Sequence, residues 1–241
     1  MRTTNISKDQ WIIRALLAAG DRHYVLVRNY LQAAGFSLPA NGEAARAWNE
    51  ERAERGDAEA QFVCAKLATV GLFGPEDKRA GLHWCEKAVE QGSLPAMLLL
   101  AGYHADGWGP LDADKARSLA LIQDAAARGY APADCMLGTL YAEGVDVPKS
   151  DAQAIVCYRK AADAGDARAQ FFLGTSLLKS GATATEAEGI DWLTRAAQQD
   201  DASAHSVLAK FYMAGSHGLA KDPTLAKFHH ERSAQLEGFE S

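Results

Sequence analysis

Small and apolar side chains return in one fixed order along most of this chain. Each copy has Ala at its fifth position (Ala60, Ala96, Ala133, Ala169, Ala204), an apolar residue at the ninth and Ala or Gly at the tenth. The last two are Cys64-Ala65, Leu100-Ala101, Leu137-Gly138, Leu173-Gly174 and Leu208-Ala209. Spacings of four and five residues place these positions on one face of a helix, and the small tenth residue lets a neighbouring helix approach. The copies open at Gly56, Gly92, Gly129, Gly165 and Asp200, at intervals of 36, 37, 36 and 35 residues. Gly/Pro-rich segments follow each first helix: Gly71–Pro75, Gly107–Pro110 and Glu143–Pro148. Such segments end one helix and start the next. A second helix is then predicted over Lys78–Gln91, Asp114–Arg128, Asp151–Ala164 and Glu186–Gln199, with Trp84, Tyr158 or Trp192 near its middle. Strand-like alternation is missing throughout, so the expected class is all-α.

A period in this range marks a repeat array. The predicted organisation is repeats at 56–91, 92–128, 129–164, 165–199 and 200–241, the last including a C-terminal tail. Residues 1–55 hold a capping helix (Asp9–Ala19) and a degenerate copy (Gly20–Arg55), with Trp11 and Leu16 close to the phases that Trp48, Trp84 and Trp192 set. Terminal units of such arrays depart from the consensus because one side faces water.

Gly56-Asp57-Ala58-Glu59-Ala60-Gln61-Phe62 and Gly165-Asp166-Ala167-Arg168-Ala169-Gln170-Phe171, with the loop Gly144-Val145-Asp146-Val147-Pro148, carry a family resemblance. From about Gly56 to Leu236 the chain resembles the Sel1-like repeat, a relative of the tetratricopeptide repeat. The fourth loop, Lys179–Thr183, departs from the pattern by lacking its Pro. The resemblance implies a right-handed α-solenoid of antiparallel helix pairs, with the first helix of each pair on the concave side. It implies a non-catalytic adaptor for a protein or peptide partner, in a bacterial regulatory or secretion assembly, or an immunity protein that neutralises a secreted toxin.

In that family the eighth position tends to be polar or variable. Here it is apolar in all five copies: Val63, Leu99, Met136, Phe172 and Val207. One reading is a partner-binding apolar ridge along the concave face; the other turns these side chains into the core. Glu59, Lys66, Thr139, Arg168, Thr175 and Lys210 flank the column and would form its polar rim, or else a solvated face.

Charge narrows the partner class. The chain carries 25 basic and 31 acidic side chains, a net −6, and residues 56–241 alone reach −8. That balance lacks the basic footprint of a nucleic-acid binder. No uninterrupted apolar run is long enough to cross a membrane. The N-terminal stretch has Arg14 inside its apolar part, which argues against a signal peptide and for a cytoplasmic protein. Cys64, Cys85, Cys135 and Cys157 lack C-x-x-C or metal spacing and read as reduced, buried thiols. Ser176 and Lys179 fit Ser-x-x-Lys, the arrangement of β-lactamase-type hydrolases, without the companion motifs. Catalytic residues, metal ligands and cofactors are therefore expected to be none. His229-His230-Glu231 lacks the spacing of a metal-binding helix and reads as a solvated surface.

Overall fold

The structure, a computed structural model, describes residues 42–70, 76–179 and 183–240. The predicted capping helix and most of the degenerate copy lie outside these residues. The chain divides into two compact units, Met1–Leu121 and Ile122–Ser241. The described residues are helical and contain no strand.

The first unit holds α1 (Gly42–Glu54), α2 (Ala58–Val70), α3 (Lys78–Glu90), α4 (Leu94–Asp106) and the start of α5 (Lys115–Ala127). The second continues from α5 through α6 (Ala131–Glu143), α7 (Asp151–Asp163), α8 (Ala167–Lys179), α9 (Thr183–Gln198), α10 (Ala202–Ala214) and α11 (Pro223–Glu240). The second helices match their predicted spans to within a residue except α9, which starts at Thr183. There the Thr185 hydroxyl donates to the Leu177 carbonyl at 3.2 Å and ties the helix start to α8.

The repeated Gly-Asp-Ala opening has a local cause. Gly56 and Gly165 sit at φ +91° and +93°, the left-handed region that ends the preceding helix. The Asp one residue later caps the next helix: Asp57 Oδ1 accepts from the amides of Glu59 and Ala60, both at 3.0 Å. Asp166 and Asp201 accept from Ala169 and Ala204, each at 2.7 Å. Asp77, Asp114, Ser150 and Asp222 cap second helices in the same way. Each of these four also donates its backbone N–H to a carbonyl near the end of the first helix, as Ser150 does to Tyr141 at 2.8 Å. Caps of this kind stabilise a helix by about 1 kcal/mol each.

The tenth position sets how close paired helices come. A Cβ on Gly174 would lie 2.8 Å from the Gly189 carbonyl oxygen and 2.9 Å from Leu193 Cγ. One on Gly138 would strike the Tyr158 ring at 2.5 Å. In the second unit, one core joins Tyr158, Leu173, Leu177 and Trp192; another joins Leu178, Leu193, Ala196 and Leu208. Cys64, Cys85 and Cys135 are buried, Cys157 is half-buried rather than buried as expected, and none of the four is in a disulfide. Burial pushes the Cys85 and Cys135 thiols up to about 12, so they stay protonated at neutral pH.

Trp108 is a lid. Its ring stacks on Tyr103 at 5.3 Å, with the Lys78 ammonium 4.5 Å from the indole centroid. Tyr103 in turn bonds the Thr69 hydroxyl, and burial pushes its phenol up to about 12.

Candidate functional site

The eighth-position column does not form a continuous exposed ridge. Val63 is wholly buried, at 0% exposure. The position lies one step of about 100° from the ninth, so a small turn of the helix carries it inside. Leu99, Phe172 and Val207 are half-buried. Phe172 stacks on Tyr158 at 5.2 Å, and Val207 packs on the core around Leu208. Met136 is the outward member, 40% exposed.

The flanking polar residues also separate. The Thr139 hydroxyl donates to the Cys135 carbonyl at 3.2 Å and accepts from Tyr158 at 3.3 Å. Thr175 turns back onto the Phe171 and Phe172 carbonyls, at 3.0 and 3.1 Å. Glu59 and Lys66 are half-buried, while Arg168 and Lys210 are exposed. The Arg168 guanidinium lies 5.5 Å from the Phe172 ring centroid.

Two depressions meet at the last turn of α8. The first, about 320 Å³, lies among α6, the start of α7 and α8; Lys149, Asp151, Ser176 and Lys179 form its polar wall. The second, about 380 Å³, is an open groove between α8 and α10. Thr175, Leu178 and Lys179 line one side, and Val207, Lys210, Phe211 and His217 the other. Three residues expected at a binding face, Thr175, Val207 and Lys210, are thus brought together. Lys179 borders both depressions. The His217 ring sits on Phe211, 4.4 Å between centroids, and its Nδ1 is 3.3 Å from a Glu186 carboxylate oxygen. Ser176 and Lys179 share the first cavity, where the chain offers an alcohol and an amine one helical turn apart.

The sixth position is where sequence reasoning missed most. Four of its five members are polar and buried: Gln61, Asp134, Gln170 and His205. Three of them, Gln61, Asp134 and Gln170, sit beside the carbonyl eight residues earlier. Gln61 donates to Ala53 at 3.0 Å and Gln170 to Ala162 at 3.3 Å. A second side chain completes each arrangement. Gln91 donates to Gln61 at 2.6 Å, and Gln199 to Gln170 at 2.9 Å. Lys160 bonds Asp134 at 2.9 Å and the Ala126 carbonyl at 3.0 Å. His205 meets His229, Nδ1 to Nδ1, at 2.8 Å.

His229 is therefore packed, not solvated as its sequence suggested; it stacks on Tyr212 at 5.6 Å, while His230 is exposed. Burial lowers the pKa of His205, outweighing the Ala197 carbonyl and the Asp200 and Asp201 carboxylates that raise it. Burial and the neighbouring His205 lower that of His229. At neutral pH both rings are uncharged, one donating and the other accepting. Among the described residues no cluster of His, Cys, Asp and Glu has the makings of a metal site. No described helix is long and apolar enough to cross a membrane.

Comparison with known proteins places these elements in a family. The Sel1 repeat matches at residues 58–93, 94–130, 131–166, 167–201 and 202–237. An uncharacterised protein of Neisseria meningitidis serogroup B is 31% identical over 182 residues, covering 76% of this chain. Chitin synthase regulatory factor 3 of Schizosaccharomyces pombe is 28% identical over 176 residues, covering 70%. This chain spans 36% of the first relative and 15% of the second. Among solved structures, a Sel1 repeat protein from Oxalobacter formigenes superposes with a TM-score of 0.72 at 24% identity, over 95% of this chain and 88% of that one. An immunity protein from Pseudomonas aeruginosa does so at 0.63 and 19%, over 87% and 80%. A second from the same organism reaches 0.61 and 18%, over 91% and 87%. With five matched repeats in register over helix pairs of this kind, the chain belongs to the Sel1 repeat family of α-solenoid proteins.

Proposed function

We propose that this protein is a non-catalytic adaptor that binds a partner protein or peptide on the face made by the first helices of its repeats. The observation that carries this is the groove between α8 and α10, where Thr175, Val207 and Lys210 converge. It combines an apolar floor with polar edges, the composition that seats a peptide. The Sel1 repeat supplies no chemistry of its own, and Ser176 is part of the polar wall. A chromogenic β-lactam should not be hydrolysed; turnover that vanished in Ser176→Ala would overturn the non-catalytic assignment. The adaptor works in the bacterial cytoplasm, among soluble partners.

Photo-cross-linking tests the binding face. A photoreactive residue at Thr175 or Lys210 should give a defined covalent adduct in lysate of the source organism. The same residue at Val156 on α7, which is 62% exposed, should give none. Adducts from Val156 alone would move the site to the second helices.

A second reading, an immunity protein that holds a toxin inactive, draws on the shared fold of the two Pseudomonas aeruginosa immunity proteins. It requires that the cross-linked partner be toxic when expressed alone and harmless when co-expressed with this chain.

A further inference from the structure

We infer that the segment bound between α8 and α10 is acidic and carries one apolar anchor flanked by carboxylates. The inference rests on the binding face proposed above and names the chemistry of its ligand. Residues 56–241 have a net charge of −8, yet the two depressions that meet at α8 are walled by three lysines, Lys149, Lys179 and Lys210, against one carboxylate, Asp151. A second carboxylate, Glu186, lies behind His217 and pairs with it. The lining is thus a basic island on an acidic chain. Such an island selects an anionic partner and repels basic ones, by attraction that reaches about 8 Å at physiological salt.

The floor sets the second requirement. Leu178, Val207 and Phe211 offer apolar surface between Lys179 on α8 and Lys210 on α10. A bare polyanion leaves that surface wet, whereas a Leu or Phe side chain covers it. The groove has Lys179 on one side and Lys210 on the other, and an extended segment rises about 3.3 Å per residue. A few residues of such a segment carry a peptide from one helix to the next. Carboxylates placed that far apart, on either side of the anchor, meet Lys179 and Lys210 together. A further carboxylate toward the α6 side meets Lys149 in the first cavity.

A random decapeptide display library, panned on the full chain, tests this directly. Enriched peptides should place Asp or Glu within three residues on both sides of an apolar residue. By fluorescence anisotropy, Lys179→Glu and Lys210→Glu should each weaken such a peptide about fivefold, the scale of an exposed ion pair. A peptide with Lys replacing its acidic residues should prefer the double variant. Both lysines are exposed, so the variants should melt like the parent.

Enriched peptides that are neutral or basic, yet compete at the groove, would overturn the inference and leave the adaptor reading intact. Acidic peptides indifferent to both lysine variants would overturn it as well. So would a labelled single-stranded oligonucleotide that binds with the same lysine dependence and displaces the peptides. No enrichment of any peptide would count against the binding face itself.

Discussion

Lys160 lays its ammonium between the buried Asp134 carboxylate, at 2.9 Å, and the Ala126 carbonyl, at 3.0 Å. The same site is filled by an amide in two other repeats, where Gln61 and Gln170 reach the equivalent carbonyls unaided by a charge. Asp134 is an acceptor and cannot bond a carbonyl, so the lysine supplies the missing donors. The Lys160 side chain is 55% exposed while that of Asp134 is 6% exposed, so the two ends of the pair differ in what they lose when parted. Lys160→Met strands a buried carboxylate and should cost about 2–3 kcal/mol. Adding Asp134→Gln should recover most of that loss, because the amide again serves the Ala126 carbonyl. Denaturant melts of the two variants and the double check this; a double variant as unstable as Lys160→Met would refute the equivalence.

The histidine version of this contact makes the last repeat sensitive to acid. His205 and His229 both have lowered pKa values, so below about 6.5 the unfolded chain binds protons that the folded pair refuses. Stability from the pair is complete above that value and falls as pH drops toward the folded-state pKa. Asp201, raised by burial, works in the opposite sense at lower pH. Asp200 and Arg232, which face His205, also pair with each other. The protection factors of α10 and α11 in hydrogen exchange, corrected for the intrinsic rate, should therefore fall as pH drops from about 7.5 to about 5.5. His205→Gln should flatten the response without unfolding the repeat. An unchanged profile in that variant would place the titrating group elsewhere.

Two glycines on first helices, Gly174 and Gly102, should respond oppositely to alanine. Gly174→Ala pushes a methyl into the Gly189 carbonyl and Leu193, and should destabilise by about 1–3 kcal/mol. Gly102, in α4, has nothing within 4 Å of its would-be Cβ. Gly102→Ala should stabilise by up to about 1 kcal/mol through helix propensity alone. Thermal melts in one buffer suffice for the comparison.

Trp108 gives an optical reporter of the first unit. Trp108→Ala removes the stack on Tyr103 and the Lys78 contact, and should cost about 1–2 kcal/mol. Trp108→Phe keeps the stack and should lose less than half of that. Equal losses would mean that the aromatic face contributes little.

The repeat and the helix pairs were legible because each follows from local chemistry, and the caps, though not read as such, lie in the same recurring residues. A Gly where φ must be positive, an Asp before the first free amides and Ala where helices touch recur in order. The sixth position was not legible as a unit. Gln, Asp and His share no side-chain type, and their partners Gln91, Lys160, Gln199 and His229 stand at different distances along the chain. The available signal was a polar residue held at one phase of otherwise apolar first helices. The eighth-position column divides for another reason. Periodicity assigns a side chain to a face only to within its step, so Val63 and Met136, identical in register, end on opposite sides of the surface. The basic lining of the groove depends on Lys179 and Lys210 coming from successive first helices, which only packing brings together.

The contacts at the sixth position divide their partners in a particular way. The two side chains come from the same repeat, Gln61 with Gln91 or Gln170 with Gln199, and from the neighbour they take only a main-chain oxygen. Every residue type provides that oxygen, so this one contact, in the repeats that have it, asks nothing of the predecessor's side chains. Excising residues 165–199 would set the Ala162 carbonyl eight residues before His205, the place in the chain that Ala197 holds now. At this contact, unlike at the Tyr158–Phe172 stack, a neighbouring repeat can change its side chains without altering what the joint receives from it.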